Sequence, residues 1–177
     1  MKNLFTYELE LPVNDQDQIA GPENAKITIV EYGDYECPHC KMAMPIVKRI
    51  KEDYGDDLRL VFRNFPLTQI HKFANDAARA AELAGEYDKF WEMHELIFRN
   101  QDQLDIDHLI DYAKQLGIDS DEFSARLEQN EKVEKVKSDF MSGVESGVNG
   151  TPSFFVNGKK YEGSWEYEDF SKILKEL

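Results

Sequence analysis

The only two cysteines in this 177-residue chain, Cys37 and Cys40, stand in the stretch "YGDYECPHCKMAMPIVKRI". A thiol attacks only as its thiolate, and a free cysteine with a pKa of about 8.5 is a few per cent ionised at neutral pH. Pro38 occupies a first helical position, so Cys37 is expected at the cap of a helix. There its sulfur meets unpaired backbone N–H groups and the positive end of the helix dipole. His39 can add a hydrogen bond or a positive charge. Cys40 follows one turn later, close enough to form a small disulfide ring with Cys37 or to resolve a mixed disulfide. The spacing predicts an attacking and a resolving thiol. Stabilising the Cys37 thiolate favours the reduced form, and for a two-electron couple each pKa unit adds roughly 30 mV of oxidising strength.

Two other readings use the same residues. Both cysteines could be ordinary buried thiols. Alternatively, Cys37, His39 and Cys40 could hold zinc or copper(I), but they supply at most three ligands from one turn, and zinc wants four. His71, His94 or His108 would have to provide the fourth, although a lone histidine on an amphipathic helix more often serves packing or the surface. No metal site and no cofactor are expected.

Two further positions carry candidate chemistry. Glu31 interrupts the apolar run "ITIVEY" six residues before Cys37, where strand alternation can turn it toward the core beneath the thiols. Buried there, its carboxyl would have a raised pKa and could exchange a proton with Cys40. Thr151-Pro152 opens the segment "SFFV". X-Pro bonds are cis in only about 5 to 6% of cases, so position alone leaves the isomer open. A cis bond would present the Thr151 backbone as an open strand edge for an extended peptide.

The elements that must position these residues follow from pattern. "LFTYELEL" reads as a first strand and "DQDQIAGPENA" as a polar connection. "KITIVEY", Lys26 to Tyr32, is a β-branched run suited to a sheet centre. Pro38 to about Tyr54 carries Met42, Ile46, Val47 and Ile50 at helical spacing and stops at Gly55, with Pro45 expected to kink it. "LRLVFRNFPL" is the next strand, ended by Pro66. Helices are predicted over 72–85, 86–100, 105–117, 119–129 and 131–147, several preceded by Asp. "TPSFFVNGKKYEG" reads as a hairpin with a type I′ turn at Asn157-Gly158, and "EYEDFSKILKEL" as a closing helix. The order is β, β-α-β, a helical block, then β-β-α, an α/β chain whose mixed central sheet carries helices on both faces.

Composition bounds the function. With 41% hydrophobic and 32% charged residues, one well-buried core is expected. Thirty-five acidic against 21 basic residues give a formal charge of -14, which argues against nucleic acid and anionic lipid as partners. No apolar run approaches the roughly 20 residues of a membrane-spanning helix, so membrane insertion is not expected. The N-terminal stretch does not read as a secretory signal, which predicts a cytoplasmic protein, or a periplasmic or secreted one if this is a mature form.

Taken together, Cys37-Pro38-His39-Cys40 after "ITIVEYGDYE", the "FRNFPL" strand end, "AARAAELAGEYDKFWEMHELIF" and "GVNGTPSFFVNGKKYEG" resemble the DsbA family of thiol-disulfide oxidoreductases, over about residues 19–177. The resemblance implies a thioredoxin-like fold, formed by residues 1–66 and 148–177, with a helical insertion at 67–147. It implies that Cys37 is the exposed nucleophile, Cys40 the buried resolving thiol, Glu31 the buried acid, and Pro152 a cis-proline facing the disulfide with Thr151 before it. Pro45 matches the family's kinked active-site helix.

The function this implies is disulfide exchange with cysteine-containing polypeptides, chiefly substrate oxidation, with a redox partner to recycle the site. Substrate would meet the face around Pro38 and His39, the Thr151-Pro152 edge, and apolar insertion residues such as Phe73, Phe90 or Trp91, although those three suit the core better. A monomer is expected, since the chain has no room for the extra domain of dimeric isomerases. The alternatives are a thioredoxin-like or glutathione-linked reductase on the same fold and the Cys/His metal-binding protein.

Overall fold

The computed structural model describes residues 4–177. Its centre is a six-stranded mixed sheet ordered β1-β6-β5-β3-β4-β2. The strands are β1 (Phe5–Glu8), β2 (Gln18–Ala20), β3 (Ile27–Gly33), β4 (Leu58–Asn64), β5 (Ser153–Val156) and β6 (Lys159–Tyr161). β3 runs parallel to β4 and antiparallel to β5. Being covered on both faces, β3 is buried at nearly every residue rather than at alternate ones. This is the α/β class expected from the sequence, with helices flanking a mixed sheet.

One face of the sheet packs Ile27, Ile29, Leu58, Leu60, Phe154 and Val156 beneath helix α1 (Pro38–Tyr54) and helix α7 (Tyr167–Leu174). The buried stripe of α1 is Cys40, Ala43, Val47 and Ile50. Met42, expected on that stripe, is exposed and Ile46 is half-buried, because the three- and four-residue steps from Cys40 select Ala43 and Val47 instead. α1 continues as one helix through Pro45. The opposite face packs Val30, Tyr32, Val61 and Phe155 with Phe65, against which Phe140 is stacked.

Between β4 and β5 the chain forms α2 (Ala74–Gly85), α3 (Phe90–Arg99), α4 (Ile106–Gln115), α5 (Ser120–Glu128) and α6 (Val133–Glu145). Asp105 and Asp119 cap α4 and α5 by accepting from the N–H groups of His108 and Glu122. α6 reaches the sheet closely because of Gly143: a Cβ there would stand 2.7 Å from the Phe65 ring. Tyr35, Cys37, Cys40 and Phe62 belong to the same apolar cluster as Phe90, Met93 and Phe98. The thiols therefore lie on the seam between the α/β core and the helical block.

Two expectations need correction. The segment read as a polar connection contains β2, which pairs antiparallel with β4. The first strand is shorter than "LFTYELEL", ending at Glu8 at the sheet edge. The hairpin is as expected, with Asn157 and Gly158 both at positive φ, 48° and 80°.

Candidate active site

α1 starts at Pro38 because Cys37 is extended (φ −72°, ψ 120°) and the proline ring is pre-set for a first helical turn. The turn before it folds around Asp34. The Cys37 N–H donates to the Asp34 carbonyl (3.1 Å), and the Glu36 N–H donates to Asp34 Oδ1 (2.8 Å). From the helical block, Gln101 Nε2 donates to the carbonyls of both Tyr35 and Cys37, each at 2.8 Å.

Both cysteines are free thiols, and Cys37, expected to be exposed, is 6% exposed because it sits in the seam against the helical block. The Cys37 thiol is held down at about 5, foremost by the hydrogen bond it receives from the Cys40 thiol. Thr151 and the backbone N–H groups of Cys40 and His39 act in the same direction, and together these outweigh the burial that pushes upward. As a thiol, Cys37 Sγ donates to the Thr151 carbonyl at 3.4 Å. Thr151 Oγ1 is buried without a partner, so once Cys37 ionises and cannot donate, this hydroxyl can turn to the sulfur. Cys40 is fully buried and pushed well above its ordinary value, first by that burial, then by its bond to Cys37 and the charges of Glu31 and Cys37. The Asp34 N–H, 3.5 Å from Cys40 Sγ, acts the other way.

Below the sulfurs Glu31 lies on β3 between Phe62 and Phe154 of the neighbouring strands. It is 2% exposed, its Oε1 has no partner, and burial pushes its carboxyl up to about 8. It therefore holds its proton through most of the neutral range. Glu31 floors a cleft of about 230 Å³ between α1 and α3, lined also by Met44, Val47, Leu60, Trp91 and His94. His94 is buried among the rings of Phe62, Phe90 and Phe98, with Nδ1 3.0 Å from the Tyr35 hydroxyl. Burial pushes it down to about 3 and keeps it neutral.

The fold thus brings Cys37, Cys40, Glu31, Thr151 and Pro152 together, with the Thr151-Pro152 bond cis. Pro38 and His39 are exposed beside them, and the contribution of His39 to the thiol is its backbone N–H. Phe90 is core, while Phe73 and Trp91 are half-buried against it. The three histidines weighed as metal ligands are each engaged elsewhere: His71 with Asp34, His94 with Tyr35, His108 with Asp105. Among the described residues no group of three or more His, Cys, Asp or Glu side chains is placed to hold a metal ion. Sequence reasoning missed Asp34, Tyr35 and Gln101, and weighed His71 and His94 only as metal ligands rather than as partners of Asp34 and Tyr35. Only Asp34 and Tyr35 lie near the motif, and nothing in the spacing of the others marks them.

The thioredoxin family model matches residues 13–176. The chain is 41% identical over 168 residues to the Na(+)/H(+) antiporter NhaA 1 of Salinispora arenicola, covering 94% of this chain and 26% of that protein. It spans about a quarter of the length of the curated relatives it matches. Among solved structures it is similar to oxidised BdbD from Bacillus subtilis, with TM-score 0.84, 26% identity and 98% of each chain covered. A thioredoxin-like oxidoreductase from Silicibacter pomeroyi aligns with TM-score 0.80 and 25% identity over 92% of each chain. No helix among the described residues is long and apolar enough to cross a membrane.

Proposed function

The chain belongs to the thioredoxin family, in the thiol-disulfide oxidoreductase branch that carries a helical insertion, and we propose that it forms disulfides in polypeptide substrates through Cys37 and Cys40. A substrate thiolate attacks Cys37 Sγ of the oxidised pair, the Cys37–Cys40 bond breaks, and Cys40 leaves with the electron pair. Glu31, the buried acid whose charge acts on Cys40, supplies the proton that Cys40 then holds. A second substrate thiolate attacks the substrate sulfur of the mixed disulfide and expels Cys37 as thiolate. Two substrate thiols lose two electrons, and the pair gains them. A redox partner acting as electron acceptor must then reoxidise it.

The observation that carries this reading is the asymmetry of the thiols, one held down at about 5 and the other pushed well above 9.0. A stabilised Cys37 thiolate is a good leaving group in the second step and makes the dithiol the favoured state, which is what an oxidant requires. The substrate surface in this reading combines Pro38, His39, the Thr151 backbone edge and Pro152. Net substrate oxidation fits an oxidising compartment better than a glutathione-buffered cytosol.

The test is the reduction potential of the pair, obtained by quantifying thiols across a series of glutathione poises in metal-free buffer. The expected value lies well above the cytosolic poise, toward about -120 mV. A value at or below about -260 mV would overturn the direction and make the protein a reductase on the same fold.

A further inference from the structure

Apart from the two bonds from Gln101, Asp34 gathers the contacts that fix the redox turn. Its N–H meets Cys40 Sγ at 3.5 Å and its carbonyl takes the Cys37 N–H at 3.1 Å. Its carboxylate is 1% exposed with the rest of the residue and accepts from three donors: the Glu36 N–H (2.8 Å), the Leu67 N–H (2.7 Å) and His71 Nδ1 (2.7 Å). Because a carboxylate only accepts, Nδ1 of His71 carries the proton in this contact. Two of the three donors come from the connection after β4, at the entrance to the helical block. Glu36 ties the same connection by accepting from the Phe73 N–H.

We propose that Asp34 and His71 form a positioning pair that sets the reactivity of Cys40 from the side of the helical block. The reading rests on the thiol-disulfide exchange proposed above. Three donors leave the carboxylate no freedom to rotate, so the Asp34 peptide is held with its N–H aimed at the buried sulfur. That N–H is the only backbone donor facing Cys40 Sγ among the described contacts. It favours the thiolate that must leave in the first step and attack when a mixed disulfide is resolved. In the reduced pair, where Cys40 keeps its proton, it strengthens the bond that the Cys40 thiol donates to the Cys37 thiolate. The helical block thereby acts on the chemistry without touching a sulfur with any side chain of the 67–73 connection. The negative charge of the carboxylate would by itself disfavour both thiolates. The pairing with His71 and two amide donors offsets that charge, so bracing is the dominant effect.

The experiment is the equilibrium of the full chain with glutathione, read as bound thiol, for wild type, Asp34→Ala, His71→Leu and His71→Asn. Asn places an amide donor near the position of Nδ1. Asp34→Ala is expected to shift the equilibrium constant about tenfold toward the disulfide, about 30 mV less oxidising. His71→Leu, which keeps the carboxylate, is expected to shift it about threefold the same way, on the scale of one lost hydrogen bond. His71→Asn is expected to restore the wild-type value. In parallel, the mixed disulfide should be resolved more slowly by Cys40 in the first two variants while its formation on Cys37 keeps its rate. Loss of fold alone would change both rates, and His71→Leu serves if Asp34→Ala is unfolded.

Shifts within twofold for both variants, or a stronger oxidant in Asp34→Ala, would overturn the proposal, the second result showing that charge rather than bracing dominates. A wild type that never equilibrates with glutathione would instead overturn the exchange reading, and this proposal with it.

Discussion

The upper edge of the thiol pair and its floor are built from different chemistry. At the edge, Cys37 meets the Cys40 thiol and the first N–H groups of α1 as donors, with the unpartnered Thr151 hydroxyl beside it. On the floor, Cys40 and Glu31 are enclosed in the core, Cys40 has the Asp34 N–H as its one backbone donor among the described contacts, and Glu31 Oε1 meets no donor at all. Two sulfurs one helical turn apart are thus driven in opposite directions, the less enclosed one by its donors and the fully buried one by its burial. Burial alone raises a thiol or carboxyl, and only hydrogen bonds to the charged form reverse that. The edge makes a leaving group and the floor stores a proton, which is the division of labour that disulfide exchange needs.

The largest effect should come from deleting either thiol. Cys37→Ser is expected to abolish exchange with a thiol-bearing peptide. Cys40→Ala is expected to accumulate the peptide as a mixed disulfide on Cys37, seen as a mass adduct lost on reduction. An equal loss without adduct in both variants would erase the asymmetry.

The floor can be separated from the edge through stability against pH. Glu31 has a folded value of about 8 against 4.5 unfolded, so its contribution is fully present below 4.5 and is lost as pH rises through 8. The loss is on the order of 5 kcal/mol. Cys37 has the opposite sign, since its folded value of about 5 lies below 9.0: its contribution is present above 9.0 and lost as pH falls through 5. In the oxidised protein the Cys37 term is absent, and His94, held at about 3 by burial, adds stability as pH rises to its unfolded value of 6.5 and offsets the Glu31 loss up to there. Urea midpoints are therefore expected to fall between about pH 6.5 and 8 for the disulfide form and to stay flatter for the dithiol form. Glu31→Gln should flatten the oxidised profile, and an unchanged slope in that variant would remove Glu31 from the floor.

The elements were legible where side-chain pattern decides them. "ITIVEY", the helix after Pro38, the Asp-capped α4 and α5, and the Asn157-Gly158 turn carry their own signals. β2 did not, because a three-residue edge strand with only Ile19 strongly apolar is held by backbone pairing to β4, which leaves no periodicity to read. At the site, the Cys-x-x-Cys motif and the carboxyl six residues before it were visible because they are local. His71, His94 and Gln101 reach the turn from the helical block, 31 to 64 positions after Cys40 or Cys37, and only the folded chain brings them there.

The smallest expected effect tests one donor of the edge. Thr151→Val keeps the backbone carbonyl that accepts from Cys37 but removes the unpartnered hydroxyl, and should raise the Cys37 midpoint by about half a unit. A midpoint unmoved in this variant would assign the lowering to Cys40 and the helix N–H groups alone.

The most direct measurement is the pH titration of thiolate absorbance in the reduced protein, with Cys37→Ser and Cys40→Ala as references. One ionisation near pH 5, belonging to Cys37, with Cys40 still protonated above pH 9, is the expected result. Two thiols ionising together near the ordinary value of about 8.5 would contradict the asymmetry on which the mechanism rests.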